Sequence, residues 1–408
     1  PIGLGVVNSF FELPDNGDSL SFEKLPAGSS VQFINGLDNN VEISSTFKGT
    51  RSFTLYGGNK YPTLEFKDLS SKKRELAKTF SEMAGAREED RLKRYQAPYE
   101  ALQPDLAFKR LGILRMDVDD LGHIFKEGFK KEALSFAKYS TLSRSMDAFF
   151  KGYINTLWSS NEDLSSNSQI IYAGGDDLFA VGRWELMIDF AEAIHRDFKR
   201  WTCDNPKLSI SGGLTIVTHK YPIMKAAKMA GSQEKKAKEH QRFPGVFDDK
   251  NEDLQKKSFS LLGLPLHWVK QGRWTDEYKL VKELKTELLE FIDGKYGKKV
   301  SHGFLQKVMS LEGMPIQQYR AGKNPKWQWT TAYYFSKIAK EYQRNNPRFA
   351  EFLQQKSQEV IFNKEKGNPL ESPHRFLTLF ALAARWAELE RRQQQALNPN
   401  QLNASIDD

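Results

Sequence analysis

Between Lys109 and His240 the hydrophobic positions change period in a regular order, and that order predicts a fold. A mainly apolar run over residues 111–118 predicts a buried strand that leads into Asp117-Val118-Asp119-Asp120. Residues 134–158 then carry Phe136, Tyr139, Leu142, Met146, Phe149, Phe150, Tyr153 and Leu157 at helical spacing. Two short apolar runs follow, Ile170-Ile171-Tyr172-Ala173 and Leu178-Phe179-Ala180-Val181, separated by Gly174-Gly175-Asp176-Asp177. β-Branched and aromatic residues around two glycines predict a tight strand reversal. A second helix is expected over residues 184–201, with Met187, Phe190, Ala191, Ile194 and Phe198 on one face, then a strand over 208–217. A third helix opens at Tyr221-Pro222, since proline suits a helix start. The order β-α-β-β-α-β plus a helix predicts an α+β, ferredoxin-like sheet (βαββαβ) in which the first strand lies beside the central hairpin.

The sequence outside this region reads differently. Residues 1–68 alternate apolar stretches (3–7, 31–34, 41–43, 52–56) with turn signals and predict a small β-rich module. Residues 69–107 are highly charged and are expected to form a helical connector punctuated by Pro98 and Pro104. The ferredoxin-like domain is placed at 108–270, including a strand-like run over 259–268. Residues 271–396 predict a bundle of amphipathic helices at 278–292, 304–311, 327–342, 349–362 and 375–391, and 397–408 a polar tail. The faces of these helices are expected to be core or partner interface; the basic-aromatic patches at 323–329 and 342–348 could contact phosphate and stack on bases, but aromatics at helical spacing are more often core, so no RNA-binding residue is named.

Composition narrows the classes. One cysteine, Cys203, excludes an internal disulfide framework and a cysteine-rich zinc site, and points to a reducing compartment. No apolar run is long enough to span a bilayer, so a cytoplasmic protein with no membrane partner is expected. The formal net charge of +8 suits a polyanionic partner without requiring one. Pro1 in place of Met suggests a processed or partial chain.

Gly-Gly-Asp-Asp taken alone reads as an ordinary solvated hairpin loop. Its setting adds chemistry. If the first strand neighbours the hairpin, Asp117 comes beside Asp176 and Asp177, and carboxylates so placed resist joint ionisation unless a cation joins them. Hard oxygen donors without His or Cys favour Mg²⁺ or Mn²⁺, or another divalent ion, over zinc. Two such ions between strand carboxylates support nucleotidyl transfer, one activating a 3′-hydroxyl and the other stabilising pyrophosphate. Asp176 and Asp177 are the candidate catalytic pair and, with Asp117, the candidate metal ligands. Gly174 and Gly175 would admit a triphosphate close to the backbone. Lys235, Lys236 and Lys238 on the trailing helix, with Arg242 beyond, are candidate phosphate contacts or simply its solvated face.

These motifs in combination resemble the catalytic palm, of nucleotidyl cyclase or polymerase type, of the large signature subunit of type III CRISPR–Cas effector complexes, the Csm type in particular. The resemblance rests on Leu111-Gly-Ile-Leu-Arg-Met-Asp-Val-Asp-Asp-Leu-Gly122, the Gly-Gly-Asp-Asp turn, Ser209-Ile-Ser-Gly-Gly-Leu214, and Lys220-Tyr-Pro-Ile-Met-Lys-Ala-Ala227. Ala383-Ala-Arg-Trp-Ala-Glu388 is similar to that subunit's closing helix. It implies an RNA-guided complex whose large subunit converts ATP to cyclic oligoadenylate second messengers when target RNA is bound. Implied partners are other Csm-type subunits, guide RNA, target RNA and the remaining N-terminal part of the large subunit. Asp117, Asp176 and Asp177 fall on the family's metal positions, and Lys238 where related cyclases place a lysine on phosphate.

The family usually begins with an HD nuclease, a first palm and a cysteine-bearing zinc module. The sequence has no His-Asp dipeptide and one cysteine, so it is expected to be the C-terminal part of such a subunit. Two alternatives stay open: a GGDEF-like dinucleotide cyclase, disfavoured by Phe125 where guanine-reading cyclases place Asn and by Leu178 after the acidic pair, and a non-catalytic RNA-complex scaffold.

Overall fold

A computed structural model of the chain describes residues 30–34, 50–54, 61–67, 73–88, 105–128, 135–240, 256–269, 276–320, 326–362 and 373–397. The strand-like stretches expected at 3–7 and 41–43, the prolines at 98 and 104, Arg242 and the tail from 398 lie outside these residues. Near the N-terminus, β1 (Ser30–Ile34) pairs in parallel with β2 (Thr50–Thr54), and β3 (Thr63–Lys67) pairs antiparallel with β4 (Lys73–Ala77). The expected helical connector therefore opens on a strand. Lys73-Arg-Glu-Leu-Ala77 is rich in helix formers, but pairing with β3 decides its state. A short helix follows, α1 (Phe80–Met83), opened by a Thr79/Glu82 capping box.

The strands that matter most form a six-stranded sheet. Its elements are β5 (Arg110–Val118), β6 (Ser168–Gly174), β7 (Asp177–Arg183), β8 (Ile210–Thr218), β9 (Ser258–Leu261) and β10 (Leu264–His267), in the order β10-β9-β8-β5-β7-β6. The four antiparallel strands β8-β5-β7-β6 are the expected βαββαβ sheet, with the first strand central. The run expected as one strand over 259–268 is a hairpin reversing at Leu262-Gly263, where Leu262 has φ 51° and Gly263 φ 92°. Its first strand adds in parallel to β8.

β5 serves both faces of the sheet, as alternation along a strand requires. Leu114, Met116 and Val118 join the larger core, with Phe149 and Phe150 from the helical crossover and Phe190, Ile194 and Phe198 from α6 (Trp184–Trp201). That crossover comprises α2 (Leu121–Glu127), α3 (Phe136–Asp147), a π-helical turn (Ala148–Tyr153), α4 (Ile154–Ser159) and α5 (Glu162–Asn167). Leu111 and Ile113 face the other way, onto Ala226 and Ala230 of α7 (Ile223–Lys238) and Met83 of α1. Pro222 is the N-cap of α7, one position before the first helical residue. The helix lies so close to β8 that a Cβ on Gly213 would stand 2.4 Å from the Glu234 backbone nitrogen. This contact fixes how far the end of α7 projects over the strand ends.

The helical bundle contains α8 (Glu277–Ile292), α9 (His302–Arg320), α10 (Lys326–Tyr342), α11 (Pro347–Phe362) and α12 (Pro373–Leu397). Its core is continuous with that of the sheet: Phe259 stacks on Trp268 at 5.1 Å between ring centroids, and Tyr278 lies against Trp386 at 6.0 Å. Among the described residues no helix is long and apolar enough to cross a membrane.

A buried ionic joint ties sheet and bundle together. Glu277, at the start of α8, accepts two hydrogen bonds from Arg375 of α12, both at 2.7 Å, and one from the His267 backbone N–H at 3.0 Å. His240 lies 3.7 Å from the same carboxylate, and Arg375 also donates to the Pro265 carbonyl at 2.8 Å. Burial alone would raise the Glu277 pKa, but bonds to His240 and Arg375 overcome it and hold the carboxyl far below its ordinary value of 4.5. A depressed carboxylate stabilises the fold above its unfolded pKa, and that contribution is lost as pH falls below about 4.5 toward the folded value. Glu277→Gln, which strands Arg375, should cost about 2–4 kcal/mol in urea denaturation at pH 7, and much less near pH 3. A loss at pH 7 no larger than that at pH 3 would contradict the joint's ionic character.

Candidate active site

Strand register assembles the site. Asp117 is the penultimate residue of β5 and stands directly opposite Asp177, the first residue of β7. Gly175 takes φ +67°, which a side chain would resist, and so lets the chain reverse between Gly174 and Asp177. The tip is fastened to β5 by the Val118 N–H, which donates to the Asp176 carbonyl at 3.0 Å. The structure therefore brings Asp117, Asp176 and Asp177 to one end of the sheet.

Charges around this cluster alternate. Lys238, in the last turn of α7, places Nζ 2.6 Å from Asp117 Oδ1 and 4.0 Å from Glu234. Glu234 is in turn 3.2 Å from Arg115 Nε on β5. The Asp176 pKa is raised by burial first and then by the charges of Asp117 and Asp177, against which Lys238 acts. Asp177 is raised by burial and by Asp117, with the Tyr172 hydroxyl bond and Arg115 opposing. The two tip carboxylates thus carry an electrostatic cost that one lysine does not remove.

Lys235 does not join them. It is 74% exposed and pairs with Glu239 at 3.6 Å, whereas Lys238 reaches the acidic end. Three positions set the two about 60° apart around the helix axis and roughly 4.5 Å apart along it, so reach to the strand ends differs between them.

Three residues at the site were not singled out from the sequence. Asp119 is 3% exposed; its Oδ2 accepts from Ser209 at 2.7 Å, Ser211 at 3.0 Å and the Lys257 backbone N–H at 3.3 Å, clamping the end of β5 to β8 and the approach to β9. The alternation Asp117-Val118-Asp119 was its only sequence signal, and a strand end gives no hint that the second carboxylate turns inward. Tyr172 donates to the Gly174 carbonyl at 3.1 Å, and the Lys151 stem lies beside Gly174. Lys151 had no signal, because a helical pattern does not reveal a π-turn.

As they lie, no three acidic, histidine or cysteine side chains among the described residues form a ready ion cage. The expected convergence is one of strand ends; Asp117 is drawn to Lys238. The donor chemistry nonetheless fits a divalent cation: all oxygen, with a mutual repulsion that such an ion would relieve.

Residues 110–243 match the family model described as Cas10/Cmr2, second palm domain. This segment is thus similar to a Cas10-type second palm domain. The palm's relatives include the single-strand-specific deoxyribonuclease Cas10/Csm1 (subtype III-A) of Streptococcus thermophilus, 41% identical over 141 residues covering 34% of this chain and 18% of that protein. The protein of the same description from Methanocaldococcus jannaschii is 31% identical over 195 residues, 45% of this chain and 24% of its own. Among solved structures, Csm1 in T. onnurineus matches with a TM-score of 0.51 and 20% identity over 88% of this chain and 46% of that one. A Csm1–Csm4 cassette in complex with cA4 matches at 0.50 and 20% over 88% and 44%. The palm is thus set in a Csm1-like fold, and the chain spans less than half the length of these relatives.

The strain at the tip is measurable. Without divalent ions, Asp176→Asn combined with Asp177→Asn should raise Tm by roughly 1–3 °C, equivalent to about 0.5–1 kcal/mol for half-exposed carboxylates. Mn²⁺ should then raise the Tm of the native chain but not of the variant. A lower Tm for the metal-free variant would contradict the repulsion.

Proposed function

We propose that this chain is the catalytic palm and C-terminal part of a type III CRISPR large subunit, and that its palm converts ATP to cyclic oligoadenylates when the complex holds target RNA. The observation that carries the reading is Asp117 register-paired with Asp177 beside the Asp176 tip, with Lys238 at 2.6 Å, inside a Cas10-type second palm. Relatives described as Cas10/Csm1 of subtype III-A and a similar Csm1–Csm4 cassette holding cA4 support it. Other Csm-type subunits, guide and target RNA and a further part of the large subunit are the proposed partners.

Asp117, Asp176 and Asp177 would hold the divalent ions, which supply activation of a 3′-hydroxyl and neutralisation of leaving pyrophosphate. The protein's own contribution is placement. Gly175 leaves open space where a Cβ would stand, so phosphate can approach the tip backbone. Lys238 is pre-set on Asp117 and can turn to phosphate once that carboxylate has another cation. Asp119, through Ser209 and Ser211, fastens the strand end that carries Asp117 to β8. Phe125, whose ring stacks on Tyr139 at 6.0 Å, occupies the position where a guanine-reading Asn would weaken the case for ATP.

The test is synthesis by the assembled complex with guide and target RNA, ATP and Mg²⁺ or Mn²⁺. Asp176→Ala with Asp177→Ala should lower oligoadenylate formation at least ~100-fold while leaving target-RNA binding unchanged. Undiminished product would overturn the site assignment, preference for GTP over ATP would favour a dinucleotide cyclase, and RNA binding with no nucleotide turnover would favour a scaffold.

A further inference from the structure

Two irregularities of the backbone meet at the Gly-Gly-Asp-Asp tip. The first is the π-helical turn Ala148–Tyr153, set between α3 and α4. Phe149, Phe150 and Gly152 of that turn are buried, so the core uses its other positions and Lys151 is left at the surface rim. A π-turn inserts a residue into the helical repeat and re-aims the side chains around it, and such turns recur at functional sites. Here the re-aimed lysine runs along the tip: a Cβ on Gly174 would lie 3.1 Å from Lys151 Cε and 3.4 Å from the Tyr172 hydroxyl.

The second irregularity is in β6, whose pairing with β7 shifts between Ile170 and Tyr172. Ile171 and Tyr172 are consequently both exposed, where regular alternation would turn one of them inward. The shift brings the Tyr172 hydroxyl onto the Gly174 carbonyl at 3.1 Å, within the influence of Asp177. Lys151 and Tyr172 thus converge on the same glycine from two different elements.

We propose that Lys151 and Tyr172 form a phosphate-positioning pair for the nucleoside triphosphate, with Lys151 contacting a non-bridging phosphate oxygen and Tyr172 holding the tip in shape beneath it. The inference rests on the nucleotidyl-transfer reading of the palm. The Lys151 ammonium is 2.9 Å from Asp147, an i,i+4 pair with both side chains part-exposed (33% and 43%). Such pairs contribute little, whereas a charge-assisted bond to phosphate is stronger, so the lysine can exchange one partner for the other at small cost. Lys238 serves the Asp117 side of the tip, and Lys151 supplies a cation at Gly174.

Lys151→Met keeps the aliphatic stem over Gly174 and removes only the charge. Calorimetric binding of ATP, AMP and adenosine to the assembled complex with guide and target RNA and Mn²⁺ should show about a 10-fold loss for ATP in this variant, a smaller loss for AMP and none for adenosine. Lys151→Arg should recover most of the ATP affinity. Tyr172→Phe should weaken ATP severalfold and leave adenosine unchanged. Equal ATP affinity in Lys151→Met and the native chain, or an equal loss for adenosine, would overturn the proposal while leaving the palm's function intact. A native assembled complex that binds no ATP with Mn²⁺ would overturn both.

Discussion

The structure depends on the register of β5 against β7. Side chains alternate along a strand, so a slip of one residue would carry Leu114, Met116 and Val118 from the larger core to the opposite face and take Asp117 out of line with Asp177. Burial on both faces of β5 forbids that slip: Leu111 and Ile113 are held against α7 and α1, the other set against the crossover and α6. The same packing that makes β5 the central strand therefore sets the spacing of the acidic groups. Stability and the site share one constraint.

A consequence is that the site can hold like charges without local relief. Asp176 and Asp177 are pinned by the hairpin and by the Val118–Asp176 backbone bond, and their repulsion from Asp117 cannot be released by moving a strand. Only side chains can respond, and the response in this structure is the ion pair of Asp117 with Lys238. Gly213 contributes indirectly, because the close seating of α7 on β8 brings Lys238 within reach. The chain of charges from Asp117 through Lys238 and Glu234 to Arg115 is the electrostatic counterpart of the strand register.

Much of this was legible in the sequence where local pattern and tertiary packing agree. The helix at 184–201 has a strong 3.6-period face and is observed over the same residues, and the glycines mark the hairpin. The lines were less readable where long-range pairing decides. Lys73–Ala77 has helical composition but pairs with β3; the run ending at Trp268 hides a reversal behind the single Gly263; and the mixture of α and π turns around Lys151 leaves no mark on hydrophobic spacing. At the site, Asp117 could be chosen from strand order, but the inward turn of Asp119 depends on Ser209 and Ser211, ninety or more residues away in sequence. Lys235 and Lys238 are chemically identical in the sequence and are separated only by the helix phase that α7 takes on β8.

The central claim is that the strand ends create a cation site for which Lys238 stands in. A crystal structure of the chain with Mn²⁺, located by anomalous scattering, tests it most directly. The account predicts manganese bound to the carboxylates of Asp117 and Asp176 or Asp177, with Lys238 displaced from its 2.6 Å contact to beyond about 4 Å. Manganese bound elsewhere, or bound there with the Lys238–Asp117 ion pair intact, would contradict it.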